Sequence, residues 1–317
     1  MADRIRKINV QTSEVHAVIT TASLPAGAVI DGMAVSLDGT IYATDIVNDV
    51  VYKIYEDGRV LGALVGKIGL NNDVASSGML GSDGNTARLD QPYGVCVDAS
   101  GNIYVADSNN HKIKRISPSG RSQTLAGSGV DGDVCGSDGL SVQLSGPAGI
   151  AVDKAGVLYV CDSGNHKIKK IWPSGKTVSL AGGTGGGMAN GQGSNALFSN
   201  PTGICVDFSE NCYVLDRGNR RVRKIDSSGN VVTLAGGTAG FVDGSGNSAQ
   251  FGASTWDIAM DPSGQFMFII DQTNDAIRKL SISGTMTTFM HWEQTTGTTS
   301  SLAFDKSGFL YILEKNV

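Results

Sequence analysis

The residues of this chain that could do chemistry sit in three near-copies: "ADSNNHKIKRI" at 106–116, "CDSGNHKIKKI" at 161–171 and "LDRGNRRVRKI" at 215–225. His111 and His166 each follow an aspartate, Asp107 or Asp162, by four residues. A histidine near a carboxylate is raw material for an acid–base pair or a metal site. A zinc site, however, needs three or four ligands converging at about 2.0–2.3 Å. The histidine position is filled by Arg220 and Asp275 in sibling stretches, and His16 and His291 are isolated. A position that accepts His, Arg or Asp reads as a polar residue at the start of a strand, so no catalytic residue, metal or cofactor is expected from it. The acids that close the preceding segments are the second candidate: Asp45, Asp107, Asp162, Asp216, Asp271 and the shifted Glu314. Six carboxylates brought together could bind a cation or a basic partner. The plainer reading is that each accepts backbone N–H groups in its own turn, with Asn109, Asn165, Asn219 or Asn274 beyond it.

The elements that position these residues repeat. "PYGVCVDASGNIYVADSNNHKIKRISPSGRSQTLAGSG" at 92–129 returns at 147–183 and 201–237, and in weaker form at 31–66 and 256–290. Asp107, Asp162, Asp216 and Asp271 stand 54 or 55 residues apart. The chain ends with the first half of a unit, "SSLAFDKSGFLYILEKNV", and begins with a second half, "MADRIRKINVQTSEVHAVIT". An open solenoid would have polar caps at its ends, whereas a closed ring can join two halves in one composite unit. Within a unit, "GVCVD" and "NIYVAD" are short runs rich in Val, Ile and Tyr joined by a hairpin turn; "KIKRI" is a third strand and "RSQTLAG" a fourth. With 43 Gly, 7 Pro and 17% charged residues, the composition suits short strands and tight turns. The expected fold is all-β: a six-bladed β-propeller of four-stranded antiparallel blades. It forms a single domain over 1–317, with a composite blade from 299–317 plus 1–21 and the others at about 31–66, 92–128, 147–183, 201–237 and 255–290. The apolar first strand should be innermost and the charged third strand further out.

The pattern P-x-G-[IV]-x-V-D-x-x-G-x-x-Y-V-x-D-x-x-N-[HR]-[KR]-[IV]-[KR]-[KR]-I resembles the NHL repeat. The resemblance covers nearly the whole chain and is strongest in the three central units. It implies a six-bladed propeller used mostly for binding, although some members are enzymes, including peptide-amidating lyases, and similar six-bladed rings hydrolyse lactones and esters. The lyases need several channel-facing histidines and a metal, which four scattered His do not supply. The calcium-dependent esterase rings use a mixed Glu/Asn/Asp set in the channel, and no comparable break in repeat symmetry is read here.

Four long Gly-rich connectors, 67–91, 129–146, 184–200 and 238–254, share an ending seen in "GNTARL", "GLSVQL", "GSNALF" and "GNSAQF". Leu89, Leu144, Phe198 and Phe251, each preceded by a small residue (Ala87, Val142, Ala196, Ala249), should anchor these loops to one face of the ring, where recognition is expected. No Gly-x-x-x-x-Gly-Lys-[Ser/Thr] occurs, so the glycines do not form a phosphate loop. The net charge of −5 gives no global drive toward nucleic acid, and the bases of the third strand are evenly spaced and shadowed by acids. Trp172, Trp256 and Trp292 are not explained by the repeat, and Trp172 is expected to be exposed opposite the long loops. Cys96, Cys135, Cys161, Cys205 and Cys212 have no CxxC spacing and read as buried free thiols. The first residues lack the apolar run of a secretion signal and no run is long enough to span a bilayer, so cytoplasmic synthesis is expected. The functional expectation is a non-enzymatic interaction or structural scaffold. It would bind a protein or glycan partner through the long-loop face, as a subunit of a larger assembly such as a virion or phage tail. The alternative is a metal-dependent hydrolase or lyase with its site at the channel mouth.

Overall fold

The computed structural model describes residues 4–20, 24–25, 27–66, 87–291 and 297–316. Most of the 67–91 connector and Trp292 lie outside the described residues. In the second blade the strands are Pro92–Val97, Ile103–Asp107, Lys112–Ile116 and Ser122–Ala126, hydrogen-bonded in that order. β-Branched and aromatic residues favour this pleated form, and the turns are set by side chains. Asp98 accepts the N–H groups of Ser100 (2.9 Å) and Asn102 (2.8 Å), while Gly101 takes φ +80°, a conformation open to glycine.

The meander recurs in six sheets. One of them has the order Val15–Thr20, Arg4–Asn9, Phe309–Asn316, Gly297–Phe304, so the first two strands of the chain share a blade with the last two. The first strands of the blades, Ile30–Val35, Pro92–Val97, Pro147–Val152, Pro201–Val206, Thr255–Met260 and Gly297–Phe304, each contact the next, and the last contacts the first. They line the axis. The apolar core is correspondingly split into six clusters, one between each pair of neighbouring blades. Tyr52, Ile5 and Leu313 join the composite blade to blade 1, and Phe268, Ile8 and Leu310 join blade 5 to the composite blade. Second strands such as Ile103–Asp107 are buried along their whole length because blades cover them on both sides.

The glycine of each "P-x-G" is explained by this packing. A Cβ on Gly149 would fall 2.0 Å from the Thr202 carbonyl oxygen, and one on Gly94 2.3 Å from that of Ala148. Neighbouring inner strands therefore meet backbone to backbone. Every inner strand also carries a register shift near this position, which turns its first residues toward the channel.

Candidate functional site

Five of the ring acids are fully buried: Asp45, Asp107, Asp162, Asp216 and Asp271. Each reaches back to the backbone that leads into its own blade's first strand. Asp107 accepts the N–H of Asp90 (2.8 Å), Asp162 that of Ser145 (2.7 Å), Asp216 that of Ser199 (2.7 Å) and Asp271 that of Gly252 (3.0 Å). An asparagine amide three residues on occupies the other side, from Asn48, Asn110, Asn165, Asn219 and Asn274. In the second blade this is Asn110, whereas Asn109 donates to Asp90 (3.0 Å). Burial pushes the Asp162 carboxyl up to about 6, opposed by the donors Asn165 and Ser145. Burial likewise raises Asp216 and Asp271.

The bases of the third strand answer these acids within the same blade, across the hairpin. Arg223 lies 2.8 Å from Asp216 and Arg278 3.2 Å from Asp271, all four fully buried, and Lys169 lies 3.7 Å from Asp162. The composite blade repeats the arrangement nearer solvent, with Arg6 2.9 Å from Glu314. In blade 1 the Tyr52 hydroxyl donates to Asp45 (3.1 Å). These cations are thus committed to the interior rather than to a basic face.

The same cations latch the long loops. Arg223 donates to the carbonyl of Ala189 and the side chain of Asn190 (both 2.8 Å), and Arg278 to the carbonyl of Val242 (3.1 Å) and the carboxylate of Asp243 (2.7 Å). Lys169 holds Asp133 and reaches the Cys135 thiol at 3.3 Å. Burial works against the Lys169 ammonium, but the Asp133 hydrogen bond and the charges of Asp162 and Asp133 together outweigh it, so its pKa stands above the ordinary lysine value. At the loop ends, Leu89, Leu144, Phe198 and Phe251 are all buried, as are Ala87, Val142, Ala196 and Ala249. Between latch and anchor, Gly191–Gln192 and Gly244–Ser245 pair with the outermost strands of blades 4 and 5 as fifth strands, and Gly136 bridges Thr177 in blade 3. The loops lie over the blade edges, which caps otherwise open strands. They nevertheless expose large apolar side chains: Val130, Val134, Met188, Phe241 and Val242.

His111 and His166 are not strand residues but left-handed turn residues, φ 52° and 56°, just before the third strand, as are Arg220 and Asp275. Their Nδ1 atoms accept the N–H of Gly146 and Asn200 (3.1 Å each), the residues that lead into the next blade's first strand. Asp49 accepts from Gln91 (2.8 Å) at the matching position of blade 1. The histidines are inter-blade acceptors.

The inner strands frame a cavity of about 520 Å³ on the long-loop face. Its wall carries Asp31, Tyr93, Asn109, Asn200, Arg217 and Asp257, and deeper in, one aliphatic side chain from every blade faces it: Met33, Val95, Ile150, Ile204, Ile258 and Leu302. Here the repeat symmetry does break, contrary to the sequence reading. Asp257 occupies the slot that is Gly32, Gly94, Gly149 and Gly203 in blades 1 to 4 and Ser301 in the composite blade. Its carboxylate accepts from the N–H groups of Ile258 (2.8 Å) and Leu302 (2.9 Å) and from the Ser301 hydroxyl (2.8 Å), and Ser301 in turn accepts the Met33 N–H (3.0 Å). This chain ties blade 5 through the composite blade to blade 1. Burial pushes the Asp257 carboxyl up to about 6 against its three donors, with Asp31 adding to the rise.

The model of the NHL repeat matches residues 89–116 and 144–171, which are the first to third strands of blades 2 and 3 with their lead-in residues. The chain is a six-bladed β-propeller that carries NHL repeats. It is 42% identical over 100 residues to NHL repeat-containing protein 2 of Bos taurus, a match covering 31% of this chain and 14% of that protein. The chain therefore spans only a small part of that relative's length. Among solved structures it resembles a virginiamycin B lyase from Staphylococcus aureus, with TM-score 0.60, 15% identity and coverage of 98% of this chain and 87% of the other. It also resembles a chain of a nidogen/laminin complex, with TM-score 0.61, 18% identity and coverage of 92% and 94%. At such identities the structural likeness establishes the fold.

Elsewhere in the ring, no three His, Cys, Asp or Glu side chains among the described residues gather so as to hold a metal. Cys161, Cys205 and Cys212 are buried, and burial raises their thiols well above the ordinary value; Cys135 is exposed, which corrects the uniform reading of the five thiols. Trp172 is half-buried against the core between blades 3 and 4, with the ammonium groups of Lys170 (5.6 Å) and Lys176 (5.1 Å) over its ring, rather than freely exposed. Among the described residues no helix is long and apolar enough to cross a membrane.

Proposed function

We propose that this NHL propeller is a non-enzymatic interaction scaffold that binds a protein or glycan partner through its long-loop face, as a subunit of a larger assembly such as a virion or phage tail. The observation that carries the reading is a pairing of rigidity with exposure. Three loops are latched by Lys169, Arg223 and Arg278, yet they turn Val130, Val134, Met188, Phe241 and Val242 to solvent. Ordered apolar side chains left uncovered on a preorganised surface favour association, because little conformational freedom is lost on binding. A similar ring in a nidogen/laminin complex supports the use of this fold between proteins. The cavity at the mouth would take a projecting side chain or sugar of the partner.

The test replaces Met188, Phe241 and Val242 together by serine. Partner capture, measured by affinity purification with mass spectrometry and by glycan array, should be lost while the melting transition is kept. Capture unchanged by the triple variant refutes the reading. Capsid or tail genes beside the coding sequence would support the assembly context, and metabolic genes would oppose it.

One observation favours a metal-dependent hydrolase or lyase instead, namely the Asp257 and Asp31 carboxylates at the channel mouth. Stoichiometric calcium or zinc in purified protein, lost in Asp257→Asn, would support that second reading. Metal-free protein that still captures its partner supports the scaffold.

A further inference from the structure

The face opposite the long loops carries a second, smaller cavity of about 330 Å³ at the other mouth of the channel. Its wall is made by the last apolar residues of four inner strands, Val35, Val97, Val152 and Val206, and by the turns that follow them. Two of those turns display large apolar side chains, Leu37 at 53% and Phe208 at 68% exposure. Leu37 and Phe208 occupy the same turn position in blades 1 and 4, which a six-membered ring places across the axis from one another. The position holds Ala99, Lys154, Pro262 and Lys306 in the other blades, so the turn itself requires neither leucine nor phenylalanine. A Cβ on Gly264 would stand 3.1 Å from the Phe208 ring, which shows the ring lying against the turn of the next blade.

Around these apolar groups the charge is one-sided. The lining carries the carboxylates of Asp98, Asp153, Asp207 and Glu210 against the single ammonium of Lys154, with Lys170 standing behind Glu210 at 3.4 Å. The aspartates are held by their own turns: Asp98 and Asp207 each accept two backbone N–H groups, an asparagine amide and a tyrosine hydroxyl. At Asp207 these donors outweigh burial and hold the carboxyl below the ordinary carboxylate range. An apolar recess with an acidic collar complements a group that is cationic on an apolar stem.

We propose that this opposite face is a docking surface for a basic segment of a partner protein, one that places a large apolar side chain between Leu37 and Phe208 and lysine or arginine against the acidic collar. The surface is independent of the long-loop site. A recess of this size accommodates side chains rather than a domain, so the segment docks as an extended or turning peptide.

The test uses the full chain and a fluorescent synthetic peptide of alternating leucine and lysine, with two controls: one in which serine replaces every leucine, and one in which glutamate replaces every lysine. Anisotropy titrations should show binding of the leucine–lysine peptide and affinities at least roughly tenfold weaker for both controls, a difference of about 1.4 kcal/mol. The double variant Leu37→Ser with Phe208→Ser should lose roughly tenfold in affinity. Lys154→Glu should tighten binding and Glu210→Lys should weaken it. Loss of binding in the long-loop serine variant, with the Leu37/Phe208 variant unaffected, overturns the proposal. So does equal binding of the serine–lysine peptide, or a shift of the two charge variants in the same direction. Should the apolar double variant melt below the parent, the opposite responses of Lys154→Glu and Glu210→Lys still decide the matter, since both side chains lie on surface turns.

Discussion

A guanidinium and a carboxylate buried together are worth little as a pair and a great deal to each other. Arg223 and Asp216 lie 2.8 Å apart with no exposure on either side chain. Removing one partner strands the other's charge in a low-dielectric interior, at a cost of about 3–5 kcal/mol. Arg223→Met is expected to destabilise the propeller by that amount in urea titrations, while adding Asp216→Asn should recover much of the loss; equal instability of single and double variants would contradict the pairing. In the sequence the acid closes one strand and the base stands seven residues later, but their pairing within one blade does not follow from spacing, because the hairpin register that sets Val214 opposite Arg223 is not visible in it. Asp257 is hidden in the sequence for a related reason: one aspartate in a weak repeat copy looks like drift, whereas the slot it fills borders both the channel and the next strand. It has a consequence in pH. The Asp257 and Asp162 carboxyls are both raised by burial to about 6, above their unfolded values near 4, so the folded state takes up their protons first. Their contribution therefore stabilises the fold as pH falls through 6, and fades as pH rises through it. Asp133, Asp207, Asp226 and Asp243 are held below the ordinary carboxylate range, so the stability they supply is lost only as pH falls below about 4. Melting temperature should accordingly peak between about pH 4 and 6. In Asp257→Asn the decline from pH 5 to 7 should be shallower, and a profile identical to the parent's would show that Asp257 does not titrate there.

Strands and loops differ in how far they could be read. A strand buried on both faces declares itself through runs such as "IYVAD" and "CYVLD", and the turns through Asp, Gly and Asn at fixed places, so the four-strand meander was legible. The loops have no period. Their ends carry a recurring small–large pair before each blade, but the latch has no such signature, because Cys135, Asn190 and Asp243 share no residue type and only their cations repeat. The inner strands supply a direct test of the packing. At Gly149 a methyl group would meet the Thr202 backbone at 2.0 Å, whereas at Gly185 there is open space but a φ of +79°. Gly149→Ala must push two backbones apart and is expected to cost about 3 kcal/mol or more. Gly185→Ala meets only the left-handed strain, about 1 kcal/mol. Comparable unfolding free energies for the two variants would mean that the blades can slide apart at the axis without penalty.

The whole ring depends on the blade that the two ends of the chain build together. Arg4–Asn9 is an interior strand of that blade, laddered to Val15–Thr20 on one side and Phe309–Asn316 on the other. Ile5 and Ile8 alternate to opposite faces, so Ile5 enters the core shared with blade 1 and Ile8 the core shared with blade 5. Deleting residues 1–10 therefore removes material from two of the six interfaces at once, together with both ladders and the Arg6–Glu314 and Lys7–Glu56 pairs. The two isoleucines alone account for about 3–6 kcal/mol of burial, and at roughly 2–4 °C per kcal/mol the melting temperature should drop by about 10 °C or more. Amide exchange should accelerate first in Phe309–Asn316 and Ile30–Val35, the strands that lose one neighbour or part of a covered face, and only later in blades 2 to 4. Ile5→Ala with Ile8→Ala should reproduce part of the loss while leaving the ladders in place. A peptide of residues 1–20 added in trans should restore protection to Phe309–Asn316, because the groove it refills keeps its partner strand. A truncated chain that melts like the parent, or exchange that rises evenly around the ring, would show that the six blades do not depend on this strand for closure.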